Sequence, residues 1–185
     1  MEKNNEIVHR GTINLETDRL LLRRLTIDDA EDMFNNWASD PEVTKYLTWD
    51  HHNSIEITKA ILNDWVQKYD NNEFYQWGIM HKEDNSLIGT ISIVQKNDFN
   101  KEFELGVCIA KKYWGKSIAG EAVNTVIKFM KSLGYEVMIS TTKVGNEKCL
   151  KAISKNGNQY IGVKESGCTN LDGTKSDIHV FVKKI

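Results

Sequence analysis

ELGVCIAKKYWGKSIAGEAV, at residues 104–123, joins an apolar segment to a long amphipathic one through a short turn. The apolar part predicts a buried strand over residues 103–110. Apolar side chains then recur at helical spacing over residues 118–133, which predicts a helix that Gly134 ends. The turn between them is rich in small residues, and the first N–H groups of a helix have no partner inside it. A turn of this kind can cradle a phosphate.

Two other interpretations fit the same turn. One is a tight connection between a strand and a helix that binds nothing. The other is a relaxed Walker A loop, because residues 110–117 satisfy the pattern AxxxxGKS. We reject the Walker loop because its interior, residues 111–114, is too bulky to wrap a phosphate and no later strand ends in a clear magnesium-binding aspartate. The segment alone leaves the bare connection and the phosphate cradle open.

Further strands and helices are predicted on both sides of this segment. The other strands are expected at residues 19–25, 74–81, 87–95, 137–142, 159–165 and 176–183. Helices are expected from a Thr26 cap to about residue 38, at residues 54–69 and at residues 147–156. A helix therefore joins the fourth strand to the fifth. The pattern predicts a mixed α/β sheet with helices on its faces.

The composition is that of an ordinary one-domain globular protein. The 185 residues carry a formal net charge of -2, with a pI of about 6.2, which argues against a nucleic-acid binder because such domains carry a clustered basic excess. The start MEKNNEIVHRG has no apolar run and no stretch is long enough to span a membrane, so we expect neither a signal peptide nor a membrane protein. Three widely spaced cysteines fit neither a disulfide framework nor a zinc site and point to the cytoplasm. We expect a flexible arm over residues 1–14 and a single domain over residues 15–185.

Four segments, taken in order, resemble one known family. They are LETDRLLLRRLTIDDAEDMFNNWASDPEVTKYL at residues 15–47, FYQWGIMHKEDNSLIGTISI at 74–93, ELGVCIAKKYWGKSIAGEAV at 104–123 and NEKCLKAISKNGNQYIG at 146–162. Together they are similar to the GNAT acetyltransferases, in particular to the branch of the ribosomal-protein N-terminal acetyltransferases (RimJ/RimL type). The resemblance implies the GNAT fold, a mixed and mostly antiparallel sheet of about seven strands with helices on both faces.

The resemblance also implies a binding site for acetyl-CoA and no metal. The pyrophosphate is expected on backbone amides of the turn, and the pantetheine arm along the strand before it, where a backbone N–H can stabilise the oxyanion. Asn146 resembles a family residue that hydrogen-bonds this arm, and an asparagine there also suits a helix cap. The implied cofactor-binding residues are Cys108, Ile109, Ala110, Trp114, Gly115, Lys116, Ser117, Ile118, Ala119, Gly120 and Asn146.

Three positions depart from the family pattern. Ser117 stands where the family has glycine, Cys149 where it has serine, and Asn158 where it has an aromatic residue. A serine still offers its backbone N–H, so the cradle survives if the local dihedral angles suit a Cβ. The departures therefore bear on catalysis more than on the fold.

Two residues are candidates for proton transfer. Glu104 is expected near the amine and can accept the proton that the amine loses before attack, although it also fits a surface glutamate on a strand. Cys149 matches a serine proposed to return a proton to the CoA thiolate, and a thiol with an ordinary pKa of about 8.5 can do so. The alternative for Cys149 is a small buried residue that packs a helix. Trp49, His51 and His52 lie in a region that shapes the acceptor pocket in the family, although such histidines are also common in solvated loops.

The sequence therefore predicts an N-acetyltransferase that moves an acetyl group from acetyl-CoA to a primary amine by direct attack. The branch favours a protein N-terminal α-amine, as on a ribosomal protein. A small amine, such as a polyamine, an amino acid or an aminoglycoside, is the alternative acceptor. A catalytically inactive CoA-binding regulatory protein is the alternative from another class. We expect a monomer or a homodimer that binds neither nucleic acid directly nor a membrane.

Overall fold

The computed structural model describes residues 6–155 and 157–185, which build an α/β fold around one eight-stranded sheet. The strands are β1 (Leu15–Glu16), β2 (Leu20–Arg23), β3 (Gln76–His81), β4 (Ser86–Asn97), β5 (Glu102–Ile109), β6 (Val137–Lys143), β7 (Gln159–Thr169) and β8 (Lys175–Lys184). They lie in the order β1-β2-β3-β4-β5-β6-β8-β7, and every neighbouring pair is antiparallel except β5 and β6. The predicted mixed sheet is confirmed, and β1 adds a strand too short for a sequence pattern to indicate.

The α-helices of the described residues are α1 (Ala30–Met33), α2 (Pro41–Thr44), α3 (Ile55–Lys68), α4 (Ile118–Leu133) and α5 (Glu147–Ser154). The first predicted helix is broken into a 3₁₀ turn (Ile27–Asp29), α1 and a π turn (Phe34–Ala38). Ser39 closes the π turn, because its N–H and its hydroxyl both donate to the Phe34 carbonyl, five residues back. Asn156, the last residue of the helix predicted at 147–156, lies outside the described residues. None of the helices described is long and apolar enough to cross a bilayer.

Local chemistry explains where two of these elements begin and end. The Thr26 N–H donates to the Asp29 carboxylate at 2.7 Å, which fixes the start of the first helical segment as predicted. α4 ends at Gly134, whose φ of 107° lies in the left-handed region that glycine adopts without strain.

Helices cover both faces of the sheet, as predicted. On β3, Trp77 contacts Phe129 of α4 with ring centroids 5.9 Å apart, so this face packs against α4. The next residue, Gly78, faces the opposite side, where an added Cβ would lie 2.6 Å from Leu25. The Leu25 N–H donates to the hydroxyl of Tyr69 at the end of α3, which places α3 on that second face.

β5 and β6 are paired only where they begin. Among the described residues, three pairs join them, from Glu102 opposite Val137 to Glu104 opposite Ile139. Both strands continue beyond these pairs, so they diverge and leave a gap toward their carboxyl ends, here called the splay. The turn that precedes α4 follows the carboxyl end of β5 and therefore lies at the mouth of the splay.

The segment before β1 is tied to the sheet. Thr12 is 2% exposed and its hydroxyl donates to the Phe74 carbonyl, while the Ile13 carbonyl accepts from the indole of Trp77. Residues 12 and 13, at the end of the arm predicted over residues 1–14, therefore contact the folded body. Residues 1–5 lie outside the described part of the chain.

Candidate functional site

The turn between β5 and α4 contains two left-handed residues. Gly115 has a φ of 75° and Ser117 a φ of 61°. The left-handed region costs a residue with a Cβ about 1–2 kcal/mol, which explains why glycine suits position 117. A Cβ built on Gly115 or Gly120 meets no described atom within 4 Å. The space beside the turn is therefore open, and packing does not require glycine at position 120.

The backbone of this turn presents hydrogen-bond donors outward. The Glu121 N–H donates to the Ser117 carbonyl at 3.1 Å, and the Ser117 side chain does not cap the helix. Within the described residues no group accepts from the amides of Ile118, Ala119 and Gly120. These amides lie at the positive end of the helix dipole, so the site suits an anion with several acceptor oxygens, such as a pyrophosphate.

Trp114 links the turn to β5 and to α5. Its indole Nε1 donates to the Ile109 carbonyl at 2.7 Å, and the Lys148 ammonium of α5 lies 4.8 Å from its ring centroid. α5 therefore approaches the turn from the far side of the splay. Lys148 is absent from the predicted site because no sequence pattern connects α5 with Trp114.

The backbone of β5 also offers donors to the splay. The Ala110 N–H donates to the Ile88 carbonyl on β4 at 2.7 Å. Amides alternate sides along a strand, so those of Ile109 and Val107 face the splay. Of the predicted pantetheine-binding residues, Ile109 can donate its amide there, whereas Ala110 and Cys108 direct theirs to β4. Sequence reasoning missed Val107, because a sequence does not reveal which edge of a strand is left unpaired.

Glu104 lies where β5 and β6 begin to diverge. The Thr141 hydroxyl donates to one carboxylate oxygen of Glu104 at 2.6 Å. No group in the described part of the chain bonds the second oxygen, which is therefore available to accept a proton. Thr141 and Lys143 share a face of β6 because alternate residues of a strand point the same way. Glu104 thus lies on the face that carries Lys143.

Cys149, which belongs to α5, lies beside the other face of β6. Its N–H donates to the Asn146 side-chain oxygen at 3.2 Å, so Asn146 caps α5. Its thiol interacts with Thr142, which neighbours Thr141 and so points to the opposite face. Burial raises the pKa of the Cys149 thiol, and the hydrogen bond with Thr142 offsets this only in part. The structure therefore places Glu104 and Cys149 on opposite faces, with the splay beside both.

A cleft of about 300 Å³ lies at the carboxyl end of β6. Its lining comes from the segment 41–51, from Lys143 and from the β7–β8 turn at residues 170–172. The Lys143 ammonium donates to the Leu47 carbonyl at 2.5 Å, and the Leu171 N–H to the Thr48 carbonyl at 2.8 Å, so hydrogen bonds hold the three parts together. Apart from His51, the lining has two basic and two acidic side chains, so its charges balance. They are Lys45, Lys143, Asp50 and Asp172.

The two candidate histidines have different positions. His51 lines the cleft, as Trp49 does. His52 is buried, with Nδ1 2.7 Å from the Thr58 hydroxyl and its ring against Trp49. Burial and the neighbouring His51 lower the pKa of His52, so it is neutral at pH 7. His51 can therefore meet an acceptor in the cleft, whereas His52 supports the wall behind it.

One group of possible metal ligands exists among the residues described: His9, Glu73 and Asp98, whose ligand atoms lie within 4.8 Å of one another. The Lys96 ammonium already lies 2.6 Å from Glu73 and 3.7 Å from Asp98. The group is therefore an ion-pair network with its own cation. It lies near the amino end of β5, away from the mouth of the splay.

Comparisons with known proteins identify a family. Residues 19–159 match the family model described as an acetyltransferase (GNAT) domain. The chain is 30% identical over 168 residues to the uncharacterized N-acetyltransferase YoaA of Bacillus subtilis, an alignment that covers 90% of this chain and 94% of that protein.

Solved structures share the fold. A Vibrio cholerae protein assigned as a ribosomal-protein-serine acetyltransferase superposes with a TM-score of 0.83 at 18% identity, covering 94% of this chain and 98% of that one. The microcin C7 self-immunity acetyltransferase MccE, in complex with acetyl-CoA and AMP, superposes with a TM-score of 0.80 at 20% identity, covering 91% and 94%. At these identities the two structures show the fold alone.

Proposed function

Because the chain belongs to the GNAT family of acetyltransferases, we propose that it transfers the acetyl group of acetyl-CoA to the N-terminal α-amine of a protein in the cytoplasm. N-acetyltransferase activity follows from the family and from the relative that carries that name.

The main support for the proposed cofactor site is the geometry at the start of α4. Three successive amides, from Ile118 to Gly120, have no acceptor within the described residues, and the space above Gly120 is open. A pyrophosphate supplies the acceptors and the negative charge that such a helix start favours. The amides of Val107 and Ile109 then line the route from this turn into the splay, where an extended pantetheine arm can bond them.

Residues on both faces of the sheet support direct transfer. Bound acetyl-CoA supplies an activated carbonyl and a thiolate leaving group. Glu104 accepts the proton of the attacking amine through its free carboxylate oxygen, directly or through water. The Ile109 or Val107 amide donates to the carbonyl oxygen as negative charge develops on it. Cys149 holds its proton at neutral pH because burial raises its pKa, and it can give that proton to the departing sulfur.

The cleft beside Lys143 supports a protein acceptor. Polyamines and aminoglycosides carry several positive charges and would favour a strongly acidic site. The four charged side chains of this lining balance, so the cleft has no acidic excess. The chain also shares its fold with the Vibrio cholerae protein that is assigned as a ribosomal-protein-serine acetyltransferase, which agrees with this choice.

A small-molecule amine is the second candidate acceptor. It is favoured by the fold shared with the microcin C7 self-immunity acetyltransferase MccE. A mixed-charge cleft also suits an acceptor that carries both a cation and an anion. Mass spectrometry of acetylation, with a panel of peptide N-termini beside a panel of small amines, separates the two candidates. Product from peptides alone supports our proposal, and product from small amines alone contradicts it.

Gly120→Asp tests the cofactor site itself. An aspartate in the first turn of α4 interacts favourably with the helix dipole, and the substitution also removes a glycine from the helix. The free energy of unfolding should therefore rise by about 1 kcal/mol. The same carboxylate should repel the pyrophosphate and weaken acetyl-CoA binding by about tenfold or more. Calorimetric titration and thermal unfolding measure the two effects, and they should move in opposite directions.

Gly120→Asn is the matched control for this variant. It has nearly the same shape without the charge, so it should retain more affinity than Gly120→Asp. Wild-type protein should be stabilised by acetyl-CoA and not by ATP with magnesium, as expected for a turn that is not a Walker loop. Equal affinity of the aspartate variant and the wild type would place the cofactor elsewhere.

A further inference from the structure

We propose that Arg19 is a positioning residue for the cofactor turn. From the loop between β1 and β2 it holds the Lys116 carbonyl and offsets the charge of the Glu121 carboxylate. This inference rests on the proposed binding of the acetyl-CoA pyrophosphate at the start of α4, and it concerns how that turn is kept in a binding geometry.

The guanidinium of Arg19 joins two parts of the turn. Its Nη1 donates to the Lys116 carbonyl at 3.2 Å. Its Nε donates to a carboxylate oxygen of Glu121 at 2.8 Å, and its Nη2 bonds the same oxygen. Arg19 is about a hundred residues away in sequence, so no local pattern links it to the turn. A planar guanidinium suits such a bridge because its donors are fixed in one plane.

The other carboxylate oxygen of Glu121 is also bonded. The Thr17 hydroxyl donates to it at 2.5 Å. Burial raises the pKa of Glu121, but the hydrogen bonds from Thr17 and Arg19, together with the charge of Arg19, outweigh it and lower the pKa. Glu121 is therefore ionised at neutral pH and would be a negative charge within one helical turn of the proposed pyrophosphate site.

The bond to Lys116 controls the direction of a neighbouring amide. The Lys116 carbonyl and the Ser117 N–H belong to one planar trans peptide unit and point in opposite directions. Holding the carbonyl toward Arg19 therefore turns the Ser117 N–H away from Arg19. Ser117 is left-handed with a φ of 61°, a conformation that a serine does not hold without support. Arg19 supplies part of that support.

The bond to Glu121 has an electrostatic consequence. A free carboxylate in the first turn of α4 would oppose the binding of an anion at that helix start. Arg19 neutralises this carboxylate in the folded protein before any ligand arrives. Its role is thus both geometric, through Lys116, and electrostatic, through Glu121, and the two contributions can be measured separately.

Calorimetric titration with CoA measures both contributions without knowledge of the acceptor. Arg19→Ala should weaken CoA binding by about tenfold, as expected for the loss of charge-assisted hydrogen bonds. Glu121→Gln should bind as tightly as the wild type or more tightly, because it removes a negative charge. The double variant Arg19→Ala with Glu121→Gln should recover part of the affinity that Arg19→Ala loses.

Salt separates the electrostatic part from the geometric part. As salt rises from 50 mM to 500 mM, screening should reduce the CoA affinity that Glu121→Gln restores to the Arg19→Ala variant. The rest of the affinity loss in Arg19→Ala, which comes from the freed Lys116 carbonyl, should not change with salt. A role confined to general folding would show neither the recovery nor its salt dependence. Arg19→Lys keeps the charge without the planar fork, so it should fall between the wild type and Arg19→Ala even if the alanine variant folds poorly.

Lys82→Met is the matched control. Lys82 bonds the Glu16 carboxylate at the end of β1 and the Thr17 carbonyl in the β1–β2 loop, and none of its hydrogen bonds within the described residues reaches the cofactor turn. Its loss should leave CoA affinity within about twofold. The inference is overturned if folded Arg19→Ala binds CoA like the wild type, or if Lys82→Met weakens binding equally. Wild-type protein that fails to bind CoA would instead contradict the proposed function.

Discussion

Glu104 is the residue on which the proposed proton transfer depends. Glu104→Gln keeps the Thr141 hydrogen-bond acceptor but removes the base, so turnover should fall by about 10²- to 10⁴-fold near neutral pH. With no base, the rate should follow the fraction of free amine and rise with pH up to about 8, the ordinary pKa of an α-amine. Steady-state kinetics from pH 6 to 9 with saturating acetyl-CoA measure both effects.

Glu102 provides the matched comparison for this variant. It lies on the same strand, and its carboxylate accepts from the Asn100 side chain at 3.2 Å, away from the mouth of the splay. Glu102→Gln should therefore leave turnover and its pH profile unchanged. A Glu104→Gln enzyme with wild-type turnover across this pH range would remove Glu104 from the mechanism.

At the scale of single residues, the phosphate-binding turn could be predicted from the sequence, but the side chains that hold the turn in place could not. Small residues before an amphipathic helix predict the cradle, and the left-handed Ser117 explains why a glycine is expected there. The partners of that turn lie far away in sequence. Arg19 and Lys148 reach it only because β2 and α5 fold beside it, and no spacing rule predicts such long-range contacts.

At the scale of elements, Asn146 has two separable functions. Its side-chain oxygen caps α5 by accepting from the Cys149 N–H, while no group in the described part of the chain accepts from its amide NH₂. Asn146→Asp keeps the cap, so stability should change by only a few tenths of a kcal/mol. It loses the donor, so the KM for acetyl-CoA should rise by about tenfold if that donor holds the pantetheine arm.

Asn146→Ala completes the comparison because it loses both functions. Its free energy of unfolding should fall by about 1 kcal/mol, and its KM should rise as in the aspartate variant. Thermal unfolding and acetyl-CoA kinetics on the same preparations give both numbers. If the aspartate variant retains the wild-type KM, Asn146 is a helix cap and nothing more.

Elements with strong periodicity were predictable, and the exceptions have physical causes. α4 begins and ends as its apolar stripe and Gly134 indicate. The segment from Ile27 to Ala38 carries an equally helical pattern, yet Ser39 competes for the Phe34 carbonyl and widens the last turn into a π turn. β1 has two residues and is held by its pairing with β2, so only tertiary structure defines it.

At the scale of the whole molecule, the sheet has a weakly paired seam in its interior, between β5 and β6. Eight register pairs join β4 to β5, whereas three pairs join β5 to β6. The strands on either side of this seam, β1–β5 and β6–β8, are therefore held together there by few backbone bonds. A ligand that lies in the splay adds contacts to both sides, and its binding energy adds to the stability of the whole protein.

Hydrogen exchange can detect this coupling. At a concentration 100 times its Kd, acetyl-CoA should raise the free energy of unfolding by about 2.7 kcal/mol. The amides of Val107 and Ile109 should be slowed most, since they face the splay, whereas that of Ala110 is already bonded to Ile88 and should change less. Desulfo analogues that retain the pyrophosphate and pantetheine should protect the same amides, and ATP should not. Protection confined to the start of α4 would mean that the pantetheine arm does not enter the splay, and the proposed path of that arm along Val107 and Ile109 would then be wrong.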